Sequence, residues 1–169
     1  MQQIFDDREL IFRYRQWLSP EQKAQAEQLE KDFTLPYRLF VLLKYKGQVA
    51  GWSWVLQDSS DSFYCVNSAV LPEFRRRGLF SQMADYSLQV VMQKGFKKIW
   101  SRHNYTNNEV IIPMLKRGFK ITGTELTDTF GALVHLTYFP SPLRQKVLEF
   151  RAGMLKPDAE LNKVFGIES

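Results

Sequence analysis

Residues 71–83 read "LPEFRRRGLFSQM": a proline, three consecutive arginines, a glycine, and then an apolar-periodic run. The stretch follows "FYCVNSAVL", which is apolar enough for a central strand. It leads into a helix predicted from about Leu79 to Gln93, with Gly95 as its stop. A strand, a short loop and a helix together make a recurrent anion site. The first N–H groups of a helix lack internal partners and point outward together, and the helix dipole adds to them. Gly78 lets the backbone come close to a phosphate or take a positive φ, and the arginines add charge that pairs with phosphate oxygens. A pyrophosphate therefore fits. A solvated basic loop and a nucleic-acid grip are the alternatives. Binding a duplex draws on several basic clusters along one face, whereas these arginines stand alone. No Gly-Lys-Ser/Thr follows the glycine, so this is no Walker loop, and a Rossmann fingerprint is absent too.

Outward from this point the chain alternates strands and helices. Upstream, residues 7–18 carry a helical period through Leu10, Ile11, Tyr14, Trp17 and Leu18. "SPEQ" at 19–22 then offers Ser19 as N-cap, Pro20 at the first helical position and Gln22 at the capping-box position. "YRLFVLLKYKGQVAGWSWVLQ" reads as two strands about a tight turn at Lys46 and Gly47. Downstream come a short strand "KKIWSRH", a helix that Asn107 can cap and Gly118 ends, and two strands around "TDTF". The remainder reads as one amphipathic helix and a tail. The class is mixed α/β with a largely antiparallel central sheet flanked by helices.

At 169 residues the chain predicts one domain, with ordinary globular fractions of 44% hydrophobic and 24% charged residues. A net charge of +5 favours an anionic ligand or surface. The single cysteine, Cys65, excludes an internal disulfide and reads as a core strand residue rather than a nucleophile. No signal-peptide pattern opens the chain and "LFVLL" is too short to span a bilayer, so the expectation is a cytoplasmic protein.

The order of elements, with "AVLPEFRRRG" before a helix and an Asn-rich helix ending in "KRGF", resembles the GNAT superfamily of acyl-CoA-dependent N-acyltransferases. Val70, Pro72, Arg75 and Gly78 match the family's pyrophosphate loop. Asn107, Lys116, Gly118 and Phe119 match its later helix, and "GQVAGW" sits in the early hairpin. The resemblance covers roughly residues 1–140. It implies a GNAT-like domain there; beyond it, the amphipathic pattern of 141–169 (Leu143, Val147, Leu148 and Phe150 against Arg144, Lys146, Glu149 and Arg151) reads as a C-terminal helix and tail packed on the same domain, with a dimer contact as an open alternative. The resemblance further implies acetyl-CoA as co-substrate and no metal, with a small-molecule or peptide amine as acceptor rather than nucleic acid or a membrane. The coenzyme would be held by Arg75, Arg76, Arg77, Gly78, Leu79, Phe80 and Ser81 around the pyrophosphate. Ser68, Ala69 and Val70 would present a strand edge to the pantetheine, which Asn107 would meet from the later helix.

Two positions depart from the family pattern. Phe80 stands where the loop usually has a small residue, and Met114 where a tyrosine often protonates the leaving thiolate. Ser68, on the coenzyme strand, and Tyr105, just before that helix, are the substitute acids the sequence offers. A lysine-like amine is neutral only about once in ~2,500 molecules at pH 7, a handicap of roughly 4–5 kcal/mol, so a base or an ordered water is also needed. His103, Asn67, Ser68 and Glu109 are candidates for that work. Glu125 and Asp128 flank the last hairpin, where they would draw in a cationic substrate or simply serve the turn. A non-catalytic acyl-CoA-binding module and a nucleic-acid-associated basic protein remain as rival functions.

Overall fold

The computed structural model describes residues 14–31 and 36–167. The chain divides into two compact units, residues 24–140 and a smaller one made of residues 1–23 with 141–169. Helix α1 (Pro20–Lys31) starts where the capping box predicts: the Ser19 N–H donates to Gln22 Oε1 at 2.9 Å, and the Gln22 N–H to Ser19 Oγ at 3.3 Å. Most of the helix expected over 7–18 lies outside the described residues; its described end, Tyr14–Trp17, is a 3-10 turn.

The larger unit is a six-stranded sheet of β1 (Arg38–Tyr45), β2 (Gln48–Gln57), β3 (Ser62–Val70), β4 (Lys98–Asn104), β5 (Lys120–Thr127) and β6 (Gly131–Tyr138). Its order is β1-β2-β3-β4-β6-β5, and only β3 and β4 run parallel. Lys46 and Gly47 both have positive φ, 48° and 83°, the geometry of a two-residue hairpin turn between β1 and β2. The parallel pair requires a crossover, and α2 (Leu79–Gln93) supplies it. Helix α3 (Asn108–Lys116) joins β4 to β5.

Alternate strand residues face opposite sides of the sheet. On one side Val55, Phe63, Ile99 and Leu136 meet Val91 of α2 and Met114 of α3 in the main core. On the other side Phe40, Trp52, Trp54, Tyr64 and Trp100 form an aromatic surface, with Phe40 67% and Trp52 41% exposed. Between β2 and β3 the backbones approach so closely at Gly51 that a Cβ there would collide with the Ala69 carbonyl oxygen.

In the smaller unit the single C-terminal helix expected from the sequence is two, α4 (Pro142–Arg151) and α5 (Ala159–Phe165). Gly153, at φ 73°, ends the first turn of chain and Asp158 starts the second helix by accepting from the Leu161 N–H at 3.1 Å. Lys146 reaches both Asp158 and Glu160 at 2.6 Å, and Phe150 packs on Phe165.

Candidate functional site

The opening stretch folds as a sharp corner. A 3-10 turn (Pro72–Phe74) leaves β3, and Arg75 is extended. Arg76 takes φ 58° and Gly78 φ 72° before α2 begins at Leu79. Gln82 is the first residue of α2 to donate back along the helix, to the Gly78 carbonyl at 3.1 Å. The N–H groups of Leu79, Phe80 and Ser81 therefore have no intrahelical acceptor. Leu79, Phe80 and Ser81 line a cavity of about 600 Å³ shared with Ser68, Ala69, Val70, Arg75, Arg76, Gly78 and Asn107. The Arg75 Nε donates to the Val70 carbonyl at 3.1 Å, which ties the loop to the strand end. Arg77 is absent from this lining; its guanidinium lies 5.3 Å from the centre of the Tyr45 ring.

Phe80 is accommodated without a backbone change. It sits inside α2, where among the described residues only Lys46 and Arg76 are non-glycine residues with positive φ, and its ring packs against the core. A Cβ at Gly78 would meet no atom within 4 Å, so the glycine is required by its left-handed φ and not by space.

Next to this cavity the sheet forks. The parallel pairing of β3 with β4 runs from Ser62↔Lys98 to Cys65↔Ser101 and stops. At that point β3 bulges: Trp54 faces Asn67 and Val55 faces Cys65, which leaves Val66 as the extra residue. A bulge bends its strand and raises the local twist, and here residues 66–70 continue with no partner strand on the β4 side. The gap holds a cavity of about 220 Å³ lined by Val66, Asn67, Ser68, Arg102, His103 and Asn107, with Met114 at its base. The hydroxyls of Ser53 and Ser68 are 2.8 Å apart. Asn107 occupies the N-cap position of α3 yet its side chain makes no capping bond.

A third cavity, about 910 Å³, opens on the aromatic side of the sheet and shares Val66, Asn67, Arg102, His103 and Asn107 with the fork. His103 thus stands between the two. Its Nε2 is 2.8 Å from Ser101 Oγ, and burial lowers its pKa below the ordinary histidine value, so the ring is neutral at pH 7. Arg102 donates from Nε to the Tyr64 hydroxyl at 3.1 Å and from Nη1 to both Glu125 oxygens at 3.0 Å. His135 also bonds Glu125, at 2.9 Å, and these two contacts hold its carboxyl below the usual carboxylate range. Glu125 is therefore occupied within the sheet rather than by a turn. Among the described residues no cluster of three His, Cys, Asp or Glu side chains is placed to hold a metal.

The acetyltransferase (GNAT) family model matches residues 1–119, well over half of the chain. The chain belongs to the GNAT acetyltransferase family. The fold agrees with solved GNAT structures of low identity. A GNAT family acetyltransferase from Elizabethkingia anophelis with acetyl-CoA bound superposes with a TM-score of 0.57 at 17% identity, covering 67% of this chain and 82% of that one. The ribosomal-protein-S18-alanine N-acetyltransferase from Escherichia coli gives 0.56 at 18% identity over 73% and 91%. Ard1 from Thermoplasma volcanium gives 0.56 at 21% over 69% and 78%. No curated protein sequence matches.

Of the site residues read from the GNAT resemblance, the structure gathers all but Arg77 and Tyr105 around one cavity. Tyr105 is 47% exposed and lines none of the three cavities. Met114 is buried beneath the fork, and desolvation pushes the Cys65 thiol up to about 12, which removes it as a nucleophile. Sequence reasoning missed the aromatic lining of this GNAT protein's third cavity and the role of Arg102 within it. "WSW" at 52–54 carried a signal, since period-2 aromatics on a strand share one face.

Proposed function

We propose that this GNAT protein moves an acetyl group from acetyl-CoA directly to the primary amine of a small molecule or peptide. The observation that carries the reading is the run of three cavities through the fork, with a helix N-terminus at one end and an aromatic pocket at the other. In this reading the N–H groups of residues 75–81 receive the pyrophosphate. The free edge at Ser68, Ala69 and Val70 pairs with the pantetheine amides as an added strand would, and Asn107, released from capping, meets them from α3. Arg77 supports the loop through its stacking on Tyr45.

The thioester then lies at the fork. The neutral amine arrives from the aromatic side and its nitrogen attacks the carbonyl carbon; the C–S bond breaks and coenzyme A leaves as a thiolate. The amine proton passes to His103, which burial keeps in its basic form. A thiolate with a pKa of about 8.5, by analogy with cysteine, departs without obligatory protonation. Ser68 is the better-situated donor for it, because Tyr105 lies outside the cavities. Ser68→Ala is expected to lower kcat about tenfold with acetyl-CoA affinity held within about threefold. Tyr105→Phe is expected to leave kcat unchanged; steady-state kinetics with calorimetry separates the two, and the reverse pattern assigns the acid to Tyr105.

Acetyl-CoA at one hundred times its dissociation constant should add about 2.7 kcal/mol of stability and raise Tm by roughly 5–10 °C. Absence of a shift at millimolar acetyl-CoA removes the proposal. Thiol release with a panel of amines tests turnover. Tight coenzyme binding without release would favour the binding-module reading, for which Met114 in place of a proton donor is the supporting observation.

The loop is expected to act through its backbone. Gly78→Val forces a β-branched residue into φ 72°, a strain of about 1–2 kcal/mol that should weaken acetyl-CoA binding roughly tenfold. Arg76→Ala keeps the backbone and should weaken it by less, as calorimetry on folded variants will read. A larger loss from Arg76→Ala would assign the site to charge instead.

A further inference from the structure

We infer that the acceptor is a flat aromatic monoamine, held against the rings of the third cavity; this rests on the acetyltransferase reading and deepens it. Two features of that cavity carry the inference. The first is the apolar part of its lining, Phe40, Trp52, Trp54, Tyr64, Phe130 and Leu133, which faces a polar inner end that includes Asn67, Arg102, His103 and Asn107. Phe40 and Trp54 are paired across β1 and β2 and stack with centroids 5.6 Å apart and planes 11° from parallel. Trp52 is fixed by the bond from its Nε1 to Asn67 Oδ1 at 3.1 Å, and Tyr64 by the one it accepts from Arg102. These rings are set in place by the sheet before any ligand arrives, while Phe40, Trp52 and Phe130 keep much of their surface exposed. Preorganised, solvent-facing rings reward a planar apolar partner.

The second feature is charge. Among the described residues no aspartate or glutamate lines the cavity, and the one permanently charged side chain there is Arg102. Glu125 neutralises that guanidinium from outside the lining. A polyamine or an aminoglycoside carries several positive charges that need carboxylates around them, and the described lining of this pocket offers none. A single amino group suits it: ring faces attract one cation in the outer cavity, the ammonium loses its proton to solvent, and the neutral amine reaches His103 at the inner end. The aromatic body then rests on the rings with the amino group pointing to the fork.

The test compares tryptamine with spermidine, by calorimetry on the protein alone and with coenzyme A, and by thiol release with acetyl-CoA. Tryptamine is expected to bind about thirtyfold more tightly than spermidine. Phe40→Ala and Trp52→Ala should each weaken tryptamine binding about tenfold while acetyl-CoA affinity is unchanged, and Trp52→Phe should restore most of the loss. Both positions are exposed, so truncation does not threaten the core. Spermidine binding equal to or tighter than tryptamine, or tryptamine binding insensitive to both truncations, overturns the inference. Tryptamine bound as expected but never acetylated would uphold the pocket's preference and remove the acetyltransferase reading instead.

Discussion

His103→Ala is expected to lower kcat by about a hundredfold or more, the scale of a lost general base. Of the two described histidines, only His103 lines both the fork and the aromatic cavity, and Ser101 fixes its Nε2 side. Burial disfavours its charged form, so its pKa lies below the ordinary 6.5 and the base is present throughout the neutral range. With an acceptor that stays neutral across the titration, log kcat/KM for the wild type should fall only below pH 6.5, as the ring is protonated. The alanine variant should show no such limb. Acetyl-CoA affinity should be unaffected, since the ring is absent from the coenzyme cavity. A kcat within threefold of the wild type, or an unchanged acid limb, would assign the proton to solvent.

Gly51→Ala is the second large effect. The added Cβ would meet the Ala69 carbonyl oxygen and the Val70 Cα, both backbone atoms that cannot rotate away. β2 and β3 must separate at Gly51↔Val70 to admit it, at a cost near the upper end of overpacking, about 3 kcal/mol. For a chain of this size that lowers Tm by roughly 6–12 °C. The displaced residues also form the proposed coenzyme edge, so acetyl-CoA binding should weaken with stability. Gly123→Ala is the control: there the nearest atom is His135 Nδ1 at 3.7 Å, an ordinary contact, and the loss should stay within about 1 kcal/mol. Equal melting temperatures for the two variants would mean that the sheet yields at Gly51 more easily than its backbone contacts imply.

Much of this protein is written locally. Ser19, Pro20 and Gln22 start a helix through bonds among neighbours; Lys46 and Gly47 turn a hairpin through their own φ values. The loop at 71–83 likewise folds into a helix N-terminus because Gly78 and the following apolar period act within a few residues. These features depend on short-range sterics and hydrogen bonds, so a single sequence displays them. The one long C-terminal helix read from amphipathicity failed for a local reason too: Gly153, Pro157 and Asp158 break and restart it.

What only the tertiary structure decided is where distant segments meet. The sequence named the residues proposed to form the coenzyme edge. It held no sign that β3 would bulge at Val66 and part from β4, since a bulge is a mismatch between two strands rather than a property of either. Tyr105, close to the later helix in sequence, lines none of the three site cavities, whereas Phe40 and Phe130, ninety residues apart, line the same one. His103 became the central candidate only once burial and the fork placed it on the lining of both the fork and the aromatic cavity. Local chemistry set each element and its ends; register, twist and long-range packing set which side chains face a common space, and that is what defines the site.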